Sequence, residues 1–306
     1  MLSFQKLGKM GRLGNQLFQY AFLRTQSEEL GVKFYCPHWI GDDIFELNDH
    51  HLKIRKPKVM KHAFIESIGK NYDRKKLILP DNTEIEGNFE SEDNFNIYKL
   101  RWYYVFKQKK IARVKGKYKH IDFSKSVGIH LRLWDKLLDR LFKRIYFIPR
   151  MSYYIKSINM IGQYKSLLVF SDSIDLAKEY FKDIDKDFIF IEDNSDWEDL
   201  FLMSQCRNLI CGVSTLSWWG GWLNSYQDKK IIYPKEGTFR PFWFFRNKDF
   251  IPKNWITVRA LRPIIDSFLI AGFPFYGLNI RMVCGYWFRA GRSLKKIILK
   301  LIYNYE

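Results

Sequence analysis

Residues 199–224, DLFLMSQCRNLICGVSTLSWWGGWLN, combine two helical segments with an apolar strand between them. The helical pattern begins at Asp196 and runs to Cys206, the strand covers Asn208–Gly212, and the second helix covers Thr215–Asn224. Continuously apolar strands that alternate with helices are typical of a parallel sheet covered on both faces. The segment therefore predicts an α/β fold.

The same alternation extends in both directions from this segment. Further strands are predicted over Ser126–Leu131, Ser166–Ser171, Phe188–Ile191 and Lys230–Tyr233, with a helix over Ile174–Phe181. Repeated strand–helix units of this kind build a Rossmann-like sheet. Residues 121–260 are therefore expected to form one Rossmann-like lobe.

The first 120 residues predict a second α/β lobe. A Gly-rich segment, Gly8–Gly14, separates a short strand from a helix that Gly31 ends. The predicted elements are strands over Ser3–Leu7, Val32–Cys36 and Ile85–Phe89, a helix over Asn15–Leu30 and a helical stretch over Glu92–Phe106. Residues 38–84 are expected to be irregular.

Composition excludes several classes of protein. Of 306 residues, 47% are hydrophobic and 18% aromatic, which excludes an intrinsically disordered chain. The formal net charge of +18 favours polyanionic partners such as nucleic acid, anionic lipid or phosphorylated ligands. No nucleic-acid-binding motif accompanies it, so no specific nucleic acid is expected. The basic run over 101–119 is either a solvated amphipathic face or a contact with an anionic surface.

The cysteine pattern and the N-terminus favour a cytoplasmic protein. The four cysteines are scattered and form no CxxC pair, so they are expected to be reduced and mostly buried, and no metal site is expected. The first sixteen residues, MLSFQKLGKMGRLGNQ, lack the apolar region of a signal peptide.

Residues 261–306 differ in character from the rest of the chain. An apolar stretch interrupted by Pro263, Asp266 and Pro274 precedes a basic amphipathic segment, Ser293–Tyr303. Such a segment beside an apolar one is typical of an anchor on an anionic membrane surface. The alternative is a helix docked on the protein's own core.

Ligands of open parallel sheets bind at the carboxyl ends of the strands. His130, Arg132 and Asp135 lie at the carboxyl end of one predicted strand. The guanidinium of Arg132 suits either phosphate oxygens or a buried ion pair. Another strand ends at Asp172, which either caps the next helix or accepts hydrogen bonds from a base or sugar.

The helix that follows a third strand begins with small hydroxyl residues. Ser214, Thr215 and Ser217 lie at that helix N-terminus, where amide groups favour an anion such as a diphosphate. The tryptophans that follow, Trp218, Trp219 and Trp222, are interpreted as core residues, with a sugar platform as the alternative.

These segments together resemble glycosyltransferase family 11, the α-1,2-fucosyltransferases. Gly11–Ala21 (GRLGNQLFQYA) is similar to the opening signature of that family, and Ile85–Ser91 (IEGNFES) resembles its GYFQS-type stretch. His130–Asp135 lies where the family has a His-x-Arg-Arg-x-Asp motif, and Phe170–Asp172 and Asp199–Trp222 follow in the family's order.

The resemblance implies a GT-B-like fold with two Rossmann-like lobes, the donor site in the C-terminal lobe and the acceptor on the side of residues 1–120. It implies inverting transfer of L-fucose from GDP-fucose to the 2-hydroxyl of a terminal galactose, without cofactor or metal. The catalytic residues implied are Arg132, Asp135 and Asn15. The donor-binding residues implied are His130, Arg132, Asp172, Ser214, Thr215, Ser217, Arg12 and Gly14.

Within the resemblance, each residue has an implied position. Arg132 contacts the β-phosphate, the three hydroxyl residues line the diphosphate, and Asp172 and His130 contact the nucleoside. Arg12 and Asn15 approach the fucose or the acceptor. The second arginine of the motif is Leu133 here and the usual small residue is Trp134, so Arg12 is expected to compensate for the missing charge.

Alternatives remain open at the level of the sequence. They are a related glycosyltransferase with another donor or acceptor, and a non-catalytic nucleotide or glycan binder. With the basic tail, the expected enzyme lies in the cytoplasm, peripheral at the inner face of a membrane. Its expected acceptor is a galactose-terminated, lipid-linked oligosaccharide in the assembly of surface glycans of the bacterial type.

Overall fold

The computed structural model describes residues 1–66, 77–133, 148–236 and 249–260. Its strands are β1 Leu2–Ser3, β2 Phe34–Tyr35, β3 His62–Ile65, β4 Thr83–Glu86, β5 Ser126–Leu131, β6 Ser166–Ser171, β7 Phe188–Phe190, β8 Asn208–Ile210, β9 Ile231–Pro234 and β10 Ile256–Val258. Its α-helices are α1 Leu13–Leu30, α2 Ile40–Ile44, α3 Ile97–Tyr103, α4 Gln108–Lys117, α5 Met151–Ile161, α6 Ile174–Phe181, α7 Asp196–Gln205 and α8 Thr215–Leu223.

The strands form two parallel sheets, one from each half of the chain. The first sheet has the order β2-β1-β4-β3, and every neighbouring pair is parallel. The second has the order β10-β9-β8-β5-β6-β7, also with parallel pairs only. The predicted α/β fold with parallel sheets in two lobes is confirmed.

The strand order of the second sheet is that of a Rossmann fold. From β7 to β10 the strands occur in the order third, second, first, fourth, fifth and sixth along the chain. The order reverses between β5 and β8, which pair through Val127–Ile129 and Asn208–Ile210. In open α/β sheets this reversal creates a crevice outside the carboxyl ends of the two strands.

One hydrophobic core joins the two halves of the chain. It includes residues from Leu2 in the first sheet to Trp255 beside the second. At its centre the ring of Phe18 on α1 lies 4.6 Å from that of Trp218 and 4.7 Å from that of Trp219, both on α8. All three side chains are fully buried, so α1 and α8 hold the halves together.

The segment over residues 38–84, expected to be irregular, contains regular structure. It holds the short helix α2, the strand β3 and the start of β4. Strand β3 is an edge strand that is exposed along most of its length. Its apolar run, Ala63–Ile65, has only three residues, which is shorter than the run of four to eight that indicates a buried strand.

Further boundaries differ from prediction. The strand expected over Ser3–Leu7 covers Leu2–Ser3, and the strand expected over Val32–Cys36 covers only Phe34–Tyr35. The strand expected over Ile85–Phe89 covers Thr83–Glu86, because the chain turns at Gly87 and Phe89 has a positive φ of 54°. The helical stretch expected over Glu92–Phe106 is a 3₁₀ turn followed by α3, which ends at Tyr103.

The cysteines of the described residues match the prediction. Cys36, Cys206 and Cys211 are buried and unbridged, and Cys284 lies outside the described residues. Burial raises the pKa of the Cys36 thiol to about 11 and that of Cys206 to about 12, which keeps both neutral.

The C-terminal segment proposed as an anchor, 261–306, lies outside the described residues. Among the helices that the structure describes, none is long and apolar enough to cross a membrane.

Candidate active site

The crevice at the strand reversal is shaped by a close contact between two backbones. Gly212 follows β8, and a Cβ atom at this position would lie 2.6 Å from the carbonyl oxygen of His130 in β5. No side chain fits at that distance. Glycine therefore allows the loop after β8 to lie directly beside the end of β5, where His130 and Arg132 are found.

Arg132 and Asp172 meet at the ends of neighbouring strands. Nη1 of Arg132 lies 3.1 Å from Oδ2 of Asp172, and both side chains are only 12% exposed. The other carboxylate oxygen, Oδ1, accepts a hydrogen bond from the backbone N–H of Leu133 at 2.8 Å. Asp172 thus orients Arg132, and the helix that follows has Ser173 as its N-cap residue.

His130 is buried next to this pair. Burial lowers its pKa to about 4; the carboxylate of Asp172 opposes the shift, and the charge of Arg132 adds to it. The imidazole is therefore neutral at pH 7. Its Nδ1 has no hydrogen-bond partner among the described residues, which leaves a polar atom close to the crevice.

The N-terminus of α8 borders the crevice on the side of β8. Ser214 is the N-cap residue, and its hydroxyl accepts a hydrogen bond from the N–H of Leu216 at 3.2 Å. Ser217 is fully buried and donates to the carbonyl oxygens of Gly212 and Ser214. Ser217 therefore fixes the shape of the loop, while the amide groups of the first turn present the positive end of the helix dipole.

The N-terminus of α1 meets that of α8 from the other lobe. The Thr215 hydroxyl donates to Oδ1 of Asn15 at 2.9 Å. A Cβ atom on Gly14 would lie 2.5 Å from Oγ1 of Thr215, and the indole of Trp219 donates to the Gly14 carbonyl at 2.9 Å. Arg12, the N-cap residue of α1, is exposed at this end. The Gly-rich signature thus serves a helix–helix contact at the site.

Glu90 joins this group and was not among the predicted site residues. The amide Nδ2 of Asn15 donates to Oε1 of Glu90 at 3.3 Å. Burial, with a smaller contribution from the charge of Glu66, raises the pKa of Glu90 to about 8. The only sequence signal for it is its position inside the IEGNFES stretch, because nothing local distinguishes it from the other acids nearby.

The tryptophans of α8 are core residues, as interpreted from the sequence. Trp218 and Trp219 are fully buried and Trp222 is 4% exposed. Leu133 is also buried, within the apolar cluster beside β5. Asp135 and Trp134 lie outside the described residues.

A series of contacts links most of the predicted site residues that the structure describes. Backbone and side-chain contacts connect Asp172 to Arg132, the end of β5 to Gly212, and the start of α8 to Asn15. Within the described ranges, no group of three or more His, Cys, Asp or Glu side chains is arranged to hold a metal ion. The arrangement offers one guanidinium and one helix N-terminus to an anion.

Comparison with known proteins places this arrangement in a family. Residues 6–259 match glycosyl transferase family 11. An α-1,2-colitosyltransferase of Escherichia coli is 26% identical over 289 residues, which cover 81% of this chain and 96% of that protein. The O-antigen biosynthesis glycosyltransferase WbnK of Escherichia coli is 32% identical over 129 residues, but the match covers only 40% of each chain.

Two solved structures that resemble this one are NodZ and POFUT1. NodZ from Bradyrhizobium is 13% identical with a TM-score of 0.46, over 72% of this chain and 90% of NodZ. POFUT1 in complex with GDP is 12% identical with a TM-score of 0.49, over 76% of this chain and 97% of POFUT1. At these TM-scores the likenesses add no weight to the assignment. Because the family match covers residues 6–259 of the 306 and includes the site between the two sheets, the chain belongs to glycosyl transferase family 11 and is a glycosyltransferase.

Proposed function

We propose that this protein transfers L-fucose from GDP-fucose to the 2-hydroxyl of a terminal galactose, with inversion at the anomeric carbon and without a metal ion. The observation that supports it most is the pairing of Arg132 with Asp172 at the strand reversal, beside the N-terminus of α8. A nucleoside diphosphate needs such groups where the charge of the leaving phosphate develops.

The proposed chemistry assigns a task to each group. The β-phosphate lies between Arg132 and the first turn of α8, with Ser214 and Thr215 at the diphosphate. Asp172 holds the guanidinium in place, and the neutral His130 faces the nucleoside side. Asn15 and Arg12 approach the sugar from the N-terminal lobe. As the bond from the anomeric carbon to the phosphate breaks, these donors stabilise the departing oxygen without a metal.

A second candidate is transfer of a different deoxysugar. The colitosyltransferase of Escherichia coli, 26% identical over 81% of this chain, favours colitose as the alternative donor sugar. Its name also supports an α-1,2 linkage. An assay with both donors separates the two candidates.

The proposed acceptor is a galactose-terminated oligosaccharide of a surface glycan, joined to a lipid at the inner face of a membrane. The name of WbnK, an O-antigen glycosyltransferase, supports this setting. We further propose that the enzyme is cytoplasmic and that residues 261–306 contact the anionic membrane surface. Replacing Lys295, Lys296 and Lys300 by Glu in the full chain should shift it to the soluble fraction, whereas unchanged sedimentation would refute this role of the tail.

The decisive assay measures GDP release by the purified protein with and without lactose or N-acetyllactosamine. GDP-fucose and GDP-activated colitose are the donors, and GDP-mannose and UDP-galactose are the controls. Acceptor-dependent release from GDP-fucose, with a 2-linked product, is the expected result. Release from the colitose donor alone would establish the second candidate. Stabilisation by GDP without any turnover would establish a nucleotide binder.

A further inference from the structure

Helix α3 exposes two aromatic side chains. Tyr98 is 79% exposed and Trp102 is 75% exposed, and because they lie four residues apart, both rings occupy one face of the helix. Ile97 and Val105, close to them in the chain, are exposed as well. Tryptophan is highly buried on average in folded proteins, so this degree of exposure is unusual. Exposed apolar groups of this kind are typical of a surface that contacts a partner.

Helix α4 begins four residues after α3 and is basic on its outer side. Its inner side packs through Ile111 and Val114, which are buried. Lys109, Lys110 and Arg113 are exposed and, at the helical period, lie away from the buried pair. The chain between the two helices spans at most about 18 Å, so the aromatic pair of α3 and the first turn of α4 belong to one region of the surface.

The positive charge of α4 is not balanced by its surroundings. Between residues 94 and 121 the chain has nine Lys and Arg and no Asp or Glu. Among the described residues, the lysines and the arginine of α4 form no ion pair, whereas Lys99 before the helix pairs with Glu28 and Lys125 after it pairs with Asp122. An anionic partner would supply the missing countercharge.

The two helices cover one side of the second lobe, away from the crevice. Phe106, between them, contacts Phe201 on α7 with 5.2 Å between the ring centroids. Arg101 on α3 donates to the carbonyl oxygen of Trp222, near the end of α8 opposite the crevice. Helices α7 and α8 pack on one face of the second sheet, and α5 and α6 pack on the other. A partner bound at α3 and α4 therefore leaves the crevice uncovered.

We propose that the α3–α4 face, made of Tyr98, Trp102, Lys109, Lys110 and Arg113, binds the anionic surface of a lipid bilayer. The inference adds a second contact to the membrane setting of the proposed function, on which it rests. Tyrosine and tryptophan have an apolar body and a polar tip, which suits the level of the lipid headgroups. Lysine and arginine close to that level attract anionic headgroups.

Two other occupants fit the charge of this face less well. In a two-fold dimer the same patch of each copy meets itself, so the basic helices would face each other and repel. The C-terminal tail has the same sign of charge, because residues 281–306 contain six Lys and Arg and one Glu. A polynucleotide shares the charge of a lipid surface and is therefore included in the test.

The test measures partition of the full-length protein onto phosphatidylcholine vesicles with and without phosphatidylserine. Replacing Lys109, Lys110 and Arg113 by Glu should weaken partition onto the phosphatidylserine vesicles by about 10²-fold, since each basic group at the surface contributes to the attraction. The melting temperature and transfer to soluble lactose should not change, because none of the three residues lies at the crevice. If the charge reversal lowers the melting temperature, glutamine at the same three positions replaces it in the test.

The matched control changes the charge by the same amount on the opposite face of the second sheet. Lys156 lies on α5, Lys182 follows α6, and Lys165 lies between α5 and β6; all three are exposed. Their joint replacement by Glu should affect partition far less, because salt screens charges that are distant from the lipid. Both sets of substitutions are repeated with Lys295, Lys296 and Lys300 replaced by Glu, so that any contact made by the tail is measured separately.

The aromatic pair is tested by replacing Tyr98 and Trp102 together by Ser. Partition should weaken by about tenfold, and this loss should persist at high salt because it reflects apolar burial. The loss caused by the Lys109, Lys110 and Arg113 substitutions should shrink as salt is added. Unchanged partition of the aromatic variant at high salt would overturn the insertion of these rings.

Other outcomes would overturn the membrane contact as a whole. They are an absence of partition by the wild type, equal partition of the wild type and the α4 variant, or equal losses in the α4 variant and the control. Binding to single-stranded DNA without binding to vesicles would assign the face to nucleic acid instead. Partition as expected in a protein that releases no GDP from any donor would refute the proposed transfer and leave the membrane contact standing.

Discussion

The carboxylate of Asp172 bridges the guanidinium of Arg132 and the backbone of the residue after it. One oxygen lies 3.1 Å from Nη1 of Arg132, and the other accepts from the N–H of Leu133 at 2.8 Å. The two contacts tie the end of β5 to the end of β6. The arginine is thereby held in one orientation before any ligand arrives, and this prior ordering lowers the cost of binding an anion.

Two substitutions measure what the contact between Arg132 and Asp172 contributes to turnover. Arg132→Ala should reduce turnover by about 10²–10³-fold, because it removes a charged donor from the leaving group. Asp172→Asn keeps an oxygen for the Leu133 N–H but weakens the hold on the arginine, so a smaller loss, about tenfold, is expected. GDP release under saturating donor is the measurement.

Arg207→Ala is the control for the loss of an arginine. Arg207 pairs with Asp228 on the surface. It directly precedes β8, at the end of the strand opposite the site. Its replacement should leave turnover unchanged. Near-wild-type turnover in the Arg132 variant would show that this arginine has no role at the leaving group.

The contact between the two helix N-termini predicts different results for two glycines. Gly14→Ala places a Cβ atom 2.5 Å from Oγ1 of Thr215, so it should lower the melting temperature and abolish most of the turnover. Gly116→Ala lies on α4 with nothing within 4 Å of the new atom. The latter should be neutral or stabilising by up to about 1 kcal/mol, because alanine favours helix. Equal melting temperatures for the two variants would contradict the close contact.

The indole of Trp219 predicts a stability effect that combines a lost hydrogen bond with reduced packing. Trp219→Phe retains an aromatic ring but removes the N–H that donates to the Gly14 carbonyl at 2.9 Å. A buried carbonyl without its partner costs about 1–3 kcal/mol, and the smaller ring adds to this loss. Unfolding in urea is the measurement. If the free energy of unfolding is unchanged, the hydrogen bond contributes nothing to stability.

A buried histidine in the N-terminal lobe makes stability dependent on pH. His51 Nδ1 donates to Asp49 at 2.5 Å, and its Nε2 lies 3.2 Å from Asp42. Burial alone would lower the pKa of His51, but hydrogen bonds to Asp42 and Asp49 outweigh it and raise the pKa to about 12. The imidazolium is therefore part of the native state at neutral pH.

Because this pKa is raised on folding, the stabilisation is complete below about pH 6.5 and declines as the pH rises toward 12. Between pH 7.5 and 9 the free energy of unfolding should fall by up to about 1.4 kcal/mol per pH unit. His51→Gln should be less stable at pH 7.5 and should lack this slope. His62→Gln, at an exposed position on β3, should retain it, and a persisting slope in the His51 variant would assign the effect to other groups.

The proximity of Arg132, Asp172 and Ser214 could be predicted from sequence because each residue follows its own strand. Arg132 and Asp172 come directly after apolar runs, and Ser214 opens a helix after another. In a parallel sheet these strand ends must lie at one edge, so their proximity follows from local pattern alone.

The other side depends on tertiary packing that no local pattern records. The hydrogen bond from Thr215 to Asn15 spans 200 residues, and Glu90 reaches Asn15 from a loop with an unusual backbone. Strand β3 was missed because its apolar run, Ala63–Ile65, is too short to indicate a strand. The family resemblance indicated Asn15, but the contact between Asn15 and Glu90 is made by the tertiary fold and has no local sequence signal.

The shared core around Phe18, Trp218 and Trp219 limits how this enzyme can be recombined with its relatives. Because α1 of one lobe and α8 of the other interlock through these rings and through the Gly14–Thr215 contact, neither lobe presents a finished surface of its own. A chimaera that exchanged only one lobe would pair mismatched aromatic faces. An exchange between relatives therefore has to replace α1 and α8 as a matched pair.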